Sequence, residues 1–286
     1  MKNITVHPEY FMQDENLFEF FFKRNIDAHK GDYGKFLIVS GSKSRSGGPV
    51  LSALSALRTG IDIVSIFAPK DVSNIIRSSN PNLTSVYDYR YGNVEETLNT
   101  FNSIYERFDS YLVATDPETA SKDKFVNSTF KSIVKRIIEK DKKFILDAGC
   151  FYIFTPEDIS NTKCVITPHS GEYKIFLNNY KSKDEPEFCV LLKEHEDKIF
   201  YRSQRAVNKT GNPGMTVAGT GDVLSGILGA ILTQTDDLFK GSCAAAYISG
   251  LAGDLAFKKF GYSLISTDVI EAIPEAIKNC GRCIYR

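Results

Sequence analysis

The run GNPGMTVAGTGDVLSGILGAILTQ, residues 211 to 234, holds the residues best suited to chemistry. Gly211, Gly214, Gly219 and Gly221 lead into an apolar helical segment, and Asp222 stands where this first series of glycines stops. A glycine-rich turn feeding a helix leaves unpaired N–H groups at the positive end of the helix dipole. Such a turn binds an anion, most often a phosphate. A carboxylate there would repel phosphate, so Asp222 reads better as a base aimed at a hydroxyl that attacks the phosphate. The alternative is a helix-start acid that only complements the dipole, worth roughly 0.3–1 kcal/mol. The spacing is neither the Walker A pattern, which needs Lys-Ser or Lys-Thr after its last glycine, nor the dinucleotide fingerprint G-x-G-x-x-G.

Such a turn needs a scaffold, and the chain supplies one by alternating short apolar runs with helical patterns. Strands are expected at Phe36–Ser40, Ile61–Ala68, Tyr111–Ala114, Phe144–Asp147, Val165–Thr167 and Phe188–Lys193. Helices are expected from Gly47 to Thr59 with Gly60 as the stop, and over Val94–Arg107, Phe125–Ile138 and Gly171–Asn178. Three more are expected at Asp222–Thr233, Ser242–Phe260 and Thr267–Ala276. The helix after Asp222 is apolar nearly all round and carries Ser225, Gly226, Gly229 and Ala230, so it should lie centrally and pack closely. Apolar strands without alternation suggest burial on both faces, hence an α/β fold with a mostly parallel central sheet covered by helices on both faces. Ligands in such folds bind at the carboxyl ends of the strands.

The 286 residues carry 35 basic and 35 acidic side chains and a formal net charge of zero. No long-range field favours nucleic acid or an anionic membrane, so phosphate binding must be local. No apolar run approaches the ~20 residues of a membrane span, and Leu17–Phe22 is too short and too interrupted for a secretory signal. The expectation is one cytoplasmic domain over 1–286, with residues 1–28 as a helical arm packed on it. Six cysteines in a chain this long do not make a disulfide framework. Cys280 and Cys283 form a lone C-x-x-C without the second pair that zinc requires.

Three ordered blocks carry a resemblance: HKGDYGKFLIVSGSKSRSGGPVLSALSALRTG from His29, TPHSGEYKIF from Thr167, and the glycine-rich run. Together they resemble the ADP/ATP-dependent NAD(P)H-hydrate dehydratases, a branch of the ribokinase-like superfamily. The resemblance implies a ribokinase-like fold and repair of hydrated NADH and NADPH. In that reaction ADP or ATP, with Mg²⁺, phosphorylates the 6-hydroxyl of the hydrated ring, and phosphate then leaves. It assigns Asp222 as catalytic and substrate-binding, and Lys193, Gly219, Thr220 and Gly221 to the nucleotide. Gly48, Asp116 and His169 fall to the substrate, and Glu172 to Mg²⁺ through water. It also implies a homo-oligomer, while the epimerase domain that usually precedes such domains is not expected here.

The residues also have plainer readings: a helix start for Gly48 and Glu172, a backbone-satisfied turn for His169, a solvated strand end for Lys193. His195, with Glu194, Glu196 and Asp197, looks like a chelating cluster and reads more simply as a solvated turn. Three departures set the chain apart from the family pattern. Ala114–Glu118 stands where the family has G-P-G-L-G, Asp147–Phe151 where it has D-A-D-G-L, and Lys193–Asp197 where it has K-G-x-x-T. The added acids stand where an anionic dinucleotide or polyphosphate should pass. Two other functions follow from such walls: a ribokinase-like kinase for another hydroxylated molecule, and a silent nucleotide-binding paralogue.

Overall fold

The computed structural model describes residues 24–42, 45–178, 180 and 187–281. A nine-stranded sheet runs in the order β3-β2-β1-β4-β5-β6-β7-β8-β9. The strands are β1 Lys35–Val39, β2 Ile63–Pro69, β3 Ser85–Tyr89, β4 Ser110–Thr115, β5 Lys143–Ala148, β6 Cys164–Ile166, β7 Cys189–Leu192, β8 Asp197–Tyr201 and β9 Gln204–Asn208. The first seven pair in parallel, and β8 and β9 close one edge as an antiparallel hairpin. The longer helices are α1 Gly47–Thr59, α2 Lys70–Ser79, α3 Val94–Ile104, α4 Pro117–Lys122 and α5 Lys124–Glu139. After the short α6 Pro156–Ile159 follow α7 Ser170–Asn178, α8 Thr220–Leu232, α9 Leu238–Phe260 and α10 Ser266–Gly281.

The unbroken apolar runs make strands covered on both faces, because successive side chains point to opposite sides. In β1, Phe36 and Ile38 join a core built with α1, α8, α9 and α10. Leu37 and Val39 join a second core built with α3, α5 and α7. Two apolar layers on one sheet bear out the doubly covered α/β reading. The chain reverses direction across the sheet between β1 and β4, where crevices open at the carboxyl ends.

The expected elements are all present, with shifted ends. Helix α9 begins at Leu238 rather than Ser242, and α10 runs past Pro274 to Gly281. Helix α2 and strand β3 were not expected, nor was the β8–β9 hairpin. These edge elements carry mixed residues such as SVYDY and QRAVN, so they lack the apolar run that marks a central strand. Residues 1–23 of the expected N-terminal arm, with His7, lie outside the described residues. Its end, 24–28, runs as a turn, tied down by Arg24 on Asp62 at 2.9 Å.

Helix α8 is central, as its composition requires. Modelling a Cβ onto Gly226 brings it within 2.0 Å of Ser55 Oγ, and one on Gly229 within 2.0 Å of the Phe36 ring. Only glycine allows α1 and β1 to approach this closely.

Candidate active site

The glycine turn is built from below by α9. The Asp254 carboxylate accepts from Gly211 N–H at 3.1 Å and from Asn212 Nδ2 at 2.9 Å. Asn212 in turn caps the short turn Pro213–Thr216 through Gly214 N–H. Asn208 Nδ2 reaches Asp197 at 3.1 Å and the Ala246 carbonyl at 3.1 Å, fixing the strand that enters the turn. Gly219 then starts α8 with φ 95°, and a Cβ there would lie 2.5 Å from Leu51 Cδ1. That left-handed conformation is open to glycine at little strain. Val223 N–H is the first to find the helix ladder, on Gly219 O. Among the described residues, nothing accepts from the N–H groups of Thr220, Gly221 and Asp222. They form the anion-seeking helix start expected at this turn.

Asp222 sits in the first turn of α8, against α1. A Cβ at Gly48 would lie 2.9 Å from Asp222 Oδ1, so Gly48 is the bare backbone wall of the carboxylate. Ser52 Oγ donates to the Asp222 carbonyl at 3.0 Å and pins the helix start. Burial, helped by the nearby Asp147 charge, pushes the Asp222 carboxyl up to about 6, against the pull of Lys193 and Arg45. A carboxylate in that range holds a proton loosely near neutrality, as a general base must.

Lys193 follows β7, whose end is tied to the next loop by Lys193 N–H on Pro168 O at 2.8 Å. Its Nζ lies 3.0 Å from Asp147 Oδ1, and a Cβ at Gly221 would lie 3.5 Å from the same ammonium. The cation therefore stands over the start of α8. Burial works against its charge, but Asp147, Glu172 and Asp222 outweigh it and hold the ammonium above its ordinary range.

His169 and Glu172 form the turn that opens α7. His169 Nδ1 accepts from Gly171 N–H at 3.0 Å and Glu172 N–H at 3.3 Å, while His169 N–H donates to Glu172 Oε2 at 3.0 Å. With Nδ1 accepting, the neutral imidazole carries its proton on Nε2. That nitrogen lies 3.5 Å from Glu172 Oε1 on an exposed ring. Both Glu172 oxygens thus face His169, which ties this carboxylate to the turn. No group of three or more His, Cys, Asp or Glu among the described residues could hold a metal ion.

The added acids of the walls are satisfied by neighbours. Asp116 caps α4 through Thr119 N–H at 2.8 Å and the Thr119 hydroxyl at 2.7 Å. Burial opposes its charge, yet these bonds, Ser42 and Arg45 together hold the carboxyl below its usual range. Glu194 takes Ser170 Oγ and Lys198 Nζ, Glu196 faces Lys209 at 3.7 Å, and Asp197 binds Asn208. Glu194–Glu196 is a bend with Glu194 and His195 exposed, as the plainer reading held, and the hairpin begins at Asp197.

The structure brings Gly48, Lys193, Gly219, Thr220, Gly221 and Asp222 into one corner. His169 and Glu172 are linked to it by the bridge between His169 and Lys193. Asp116 follows β4 beside the end of β5, where a Cβ on Gly149 would lie 2.6 Å from its carbonyl oxygen, and the Arg45 charge acts on both Asp116 and Asp222. Sequence reasoning had not placed Ser225, Asp254 or Arg45 in the site. Ser225 was within reach: three residues after Asp222 on a helix, it shares that face. Asp254 and Arg45 carry no comparable signal. Of the C-x-x-C pair, Cys280 packs at the edge of the core that holds α10 and Cys283 lies outside the described residues.

The α/β fold is ribokinase-like: a solved ribokinase-like superfamily protein from Enterococcus faecalis shares it with a TM-score of 0.75 at 22% identity, over 98% of this chain and 99% of that one. A solved ADP/ATP-dependent NAD(P)H-hydrate dehydratase from Bacillus subtilis, co-crystallised with ATP/Mg²⁺, shares the fold with a TM-score of 0.75 at 21% identity. The match covers 98% of this chain and 100% of that one. The NAD(P)H-hydrate dehydratase (Carb_kinase) family model matches residues 36–275, and the chain belongs to that family. A bifunctional NAD(P)H-hydrate repair enzyme of Archaeoglobus fulgidus is 40% identical over 264 residues, or 91% of this chain. The chain spans 54% of that relative's length. An ADP-dependent (S)-NAD(P)H-hydrate dehydratase of Cenarchaeum symbiosum is 31% identical over 93% of this chain and 96% of its own.

Proposed function

We propose that this protein restores hydrated NADH and NADPH, using ADP or ATP as phosphoryl donor. The observation that carries the reading is the Asp222 carboxylate, pushed up to about 6 beside three N–H groups without an acceptor among the described residues. Asp222 takes the proton of the 6-hydroxyl as that oxygen attacks the terminal phosphorus. The N–H groups of Thr220 and Gly221, with the Lys193 ammonium, receive the charge on the transferring phosphoryl group. The bond from phosphorus to the nucleotide oxygen breaks in line. The ring nitrogen then pushes its electron pair toward C6, phosphate leaves with the C6–O bonding pair, and loss of the C5 proton re-forms the double bond.

Gly48 and the Nε2–H of His169 line the substrate side in this reading, with Asp116, which shares Arg45 with Asp222, beside them. Mg²⁺ would neutralise phosphate charge, entering on the nucleotide and touching Glu172 only through water. Cys150, Cys164, Cys189 and Cys243 are buried free thiols, which suits a reducing, cytoplasmic setting. We place the whole chain, 1–286, in a single domain that assembles as a homo-oligomer, which sedimentation checks.

The test is an absorbance assay with hydrated NADH, Mg²⁺, and ADP or ATP in turn. Recovery of the reduced-nicotinamide band with one phosphate released per turnover is expected. A stable phosphorylated product, or no recovery by folded protein, would overturn the reading.

A further inference from the structure

The buried pair behind Lys193 is not used by the chemistry above. Asp147 ends β5 and is 4% exposed, and Ser225 lies one turn into α8 and is fully buried. Three donors converge on the Asp147 carboxylate. Lys193 Nζ lies at 3.0 Å on Oδ1, Ala148 N–H at 2.8 Å on the same oxygen, and Ser225 Oγ at 2.7 Å on Oδ2. Ala148 sustains this with φ 54° and ψ −124°, a conformation that an L residue adopts only under constraint. Two strand ends and the reactive helix are thereby joined through one carboxylate.

We propose that Asp147 and Ser225 are positioning residues that hold the Lys193 ammonium over the start of α8, where the nucleotide's phosphate arrives. The hydroxyl fixes the carboxylate's rotation, and the carboxylate fixes where the ammonium stands. A lysine on a flexible four-carbon stem lacks that definition by itself. The same arrangement places one negative and one positive charge near Asp222, with opposite effects on its proton. The charged groups facing Asp222 are Asp147 from β5, Lys193 after β7 and Arg45 from the loop after β1. Glu172 from α7 acts on Lys193.

The proposal rests on the phosphoryl-transfer reading of this corner, so its test measures nucleotide binding separately from turnover. Calorimetric titration of ADP and ATP, and the pH profile of kcat/KM, are compared for wild type, Asp147→Asn, Ser225→Ala and Lys193→Met. Melting temperatures establish that each variant is folded. Asp147→Asn should weaken nucleotide binding about ten-fold. It should also move the acid limb of the profile down by roughly one pH unit, because a like charge beside Asp222 is gone. Lys193→Met should weaken binding and move the same limb up. Ser225→Ala, which keeps every charge, should weaken binding a few-fold. It carries the test if Asp147→Asn does not fold. A folded Asp147→Asn with a lower melting temperature but unchanged affinity and limb would mean a purely structural pair and overturn the proposal. So would limbs moving the same way in Asp147→Asn and Lys193→Met, or unchanged affinity in Ser225→Ala. If hydrated NADH proves not to be the substrate, the calorimetric comparison still decides the positioning role.

Discussion

The start of α8 and the two acidic rims, Asp116 after β4 and Glu194, Glu196 and Asp197 after β7, are rich in groups that bind or repel anions, but they are finished differently. At the rims every carboxylate has a partner: a cap, a lysine or an amide. At α8 three N–H groups lack an acceptor among the described residues, and Asp222 holds its charge against burial. Burial also raises the Asp197 carboxyl, but Glu194 N–H and Asn208 bond to it, whereas the Asp222 carboxylate takes no hydrogen bond from the described residues and is open to proton transfer. The rims' added negative charge, which from sequence alone argued against an anionic ligand, is largely absorbed by local bonds.

The sharpest way to break this contrast is Asp222→Asn. Turnover should fall by about 10²–10⁴-fold, with nucleotide affinity largely kept. Single-turnover kinetics beside calorimetry would show it, and full activity would remove Asp222 from the base role. Gly219→Ala should come next. Its φ of 95° and the 2.5 Å approach to Leu51 force the turn to move, costing about 1–3 kcal/mol in chemical denaturation and most of the nucleotide affinity.

The pH dependence sharpens the same comparison. Asp222 gains its proton near pH 6, so kcat/KM should decline as pH falls through that value. Stability should run the other way. The carboxyl's folded value lies above its unfolded value of 3.8, so its stabilising contribution is full below 3.8 and is lost as pH rises through about 6. Asp222→Asn should therefore melt higher than wild type at pH 7 and flatten that slope, on the order of 1–3 kcal/mol. A variant that melts lower at pH 7 would contradict the strained carboxylate. The smallest effect belongs to the Asp116 rim. Asp116→Asn keeps the α4 cap and should leave the nucleotide KM within about two-fold; a ten-fold change would make the rim part of the nucleotide site.

Much of this was legible before any coordinates. The glycine turn that opens α8, the central helix and the doubly covered sheet follow from glycine spacing and from apolar runs whose meaning is local. What stayed hidden depends on contacts far apart in sequence. Asp147 and Lys193 are 46 positions apart, and nothing in either neighbourhood announces the pair. Asp254 lies in an apolar helix and gives no sign that it holds the turn 43 residues earlier. The hairpin went unread because its strands, DKIFY and QRAVN, mix charged, amide and apolar residues without a clear period at a sheet edge.

The glycines of α8 carry a last consequence. By letting α1 and β1 press against the helix, they bury its backbone amides in the main core, where opening is expected to require global unfolding. A nucleotide at the helix start adds to that global stability by mass action. Hydrogen–deuterium exchange at Leu232, ~20 Å along the helix from Thr220, should slow when the site fills, although nothing there moves or touches the ligand. In this protein, occupancy at one end of a helix becomes a clock reading at the other.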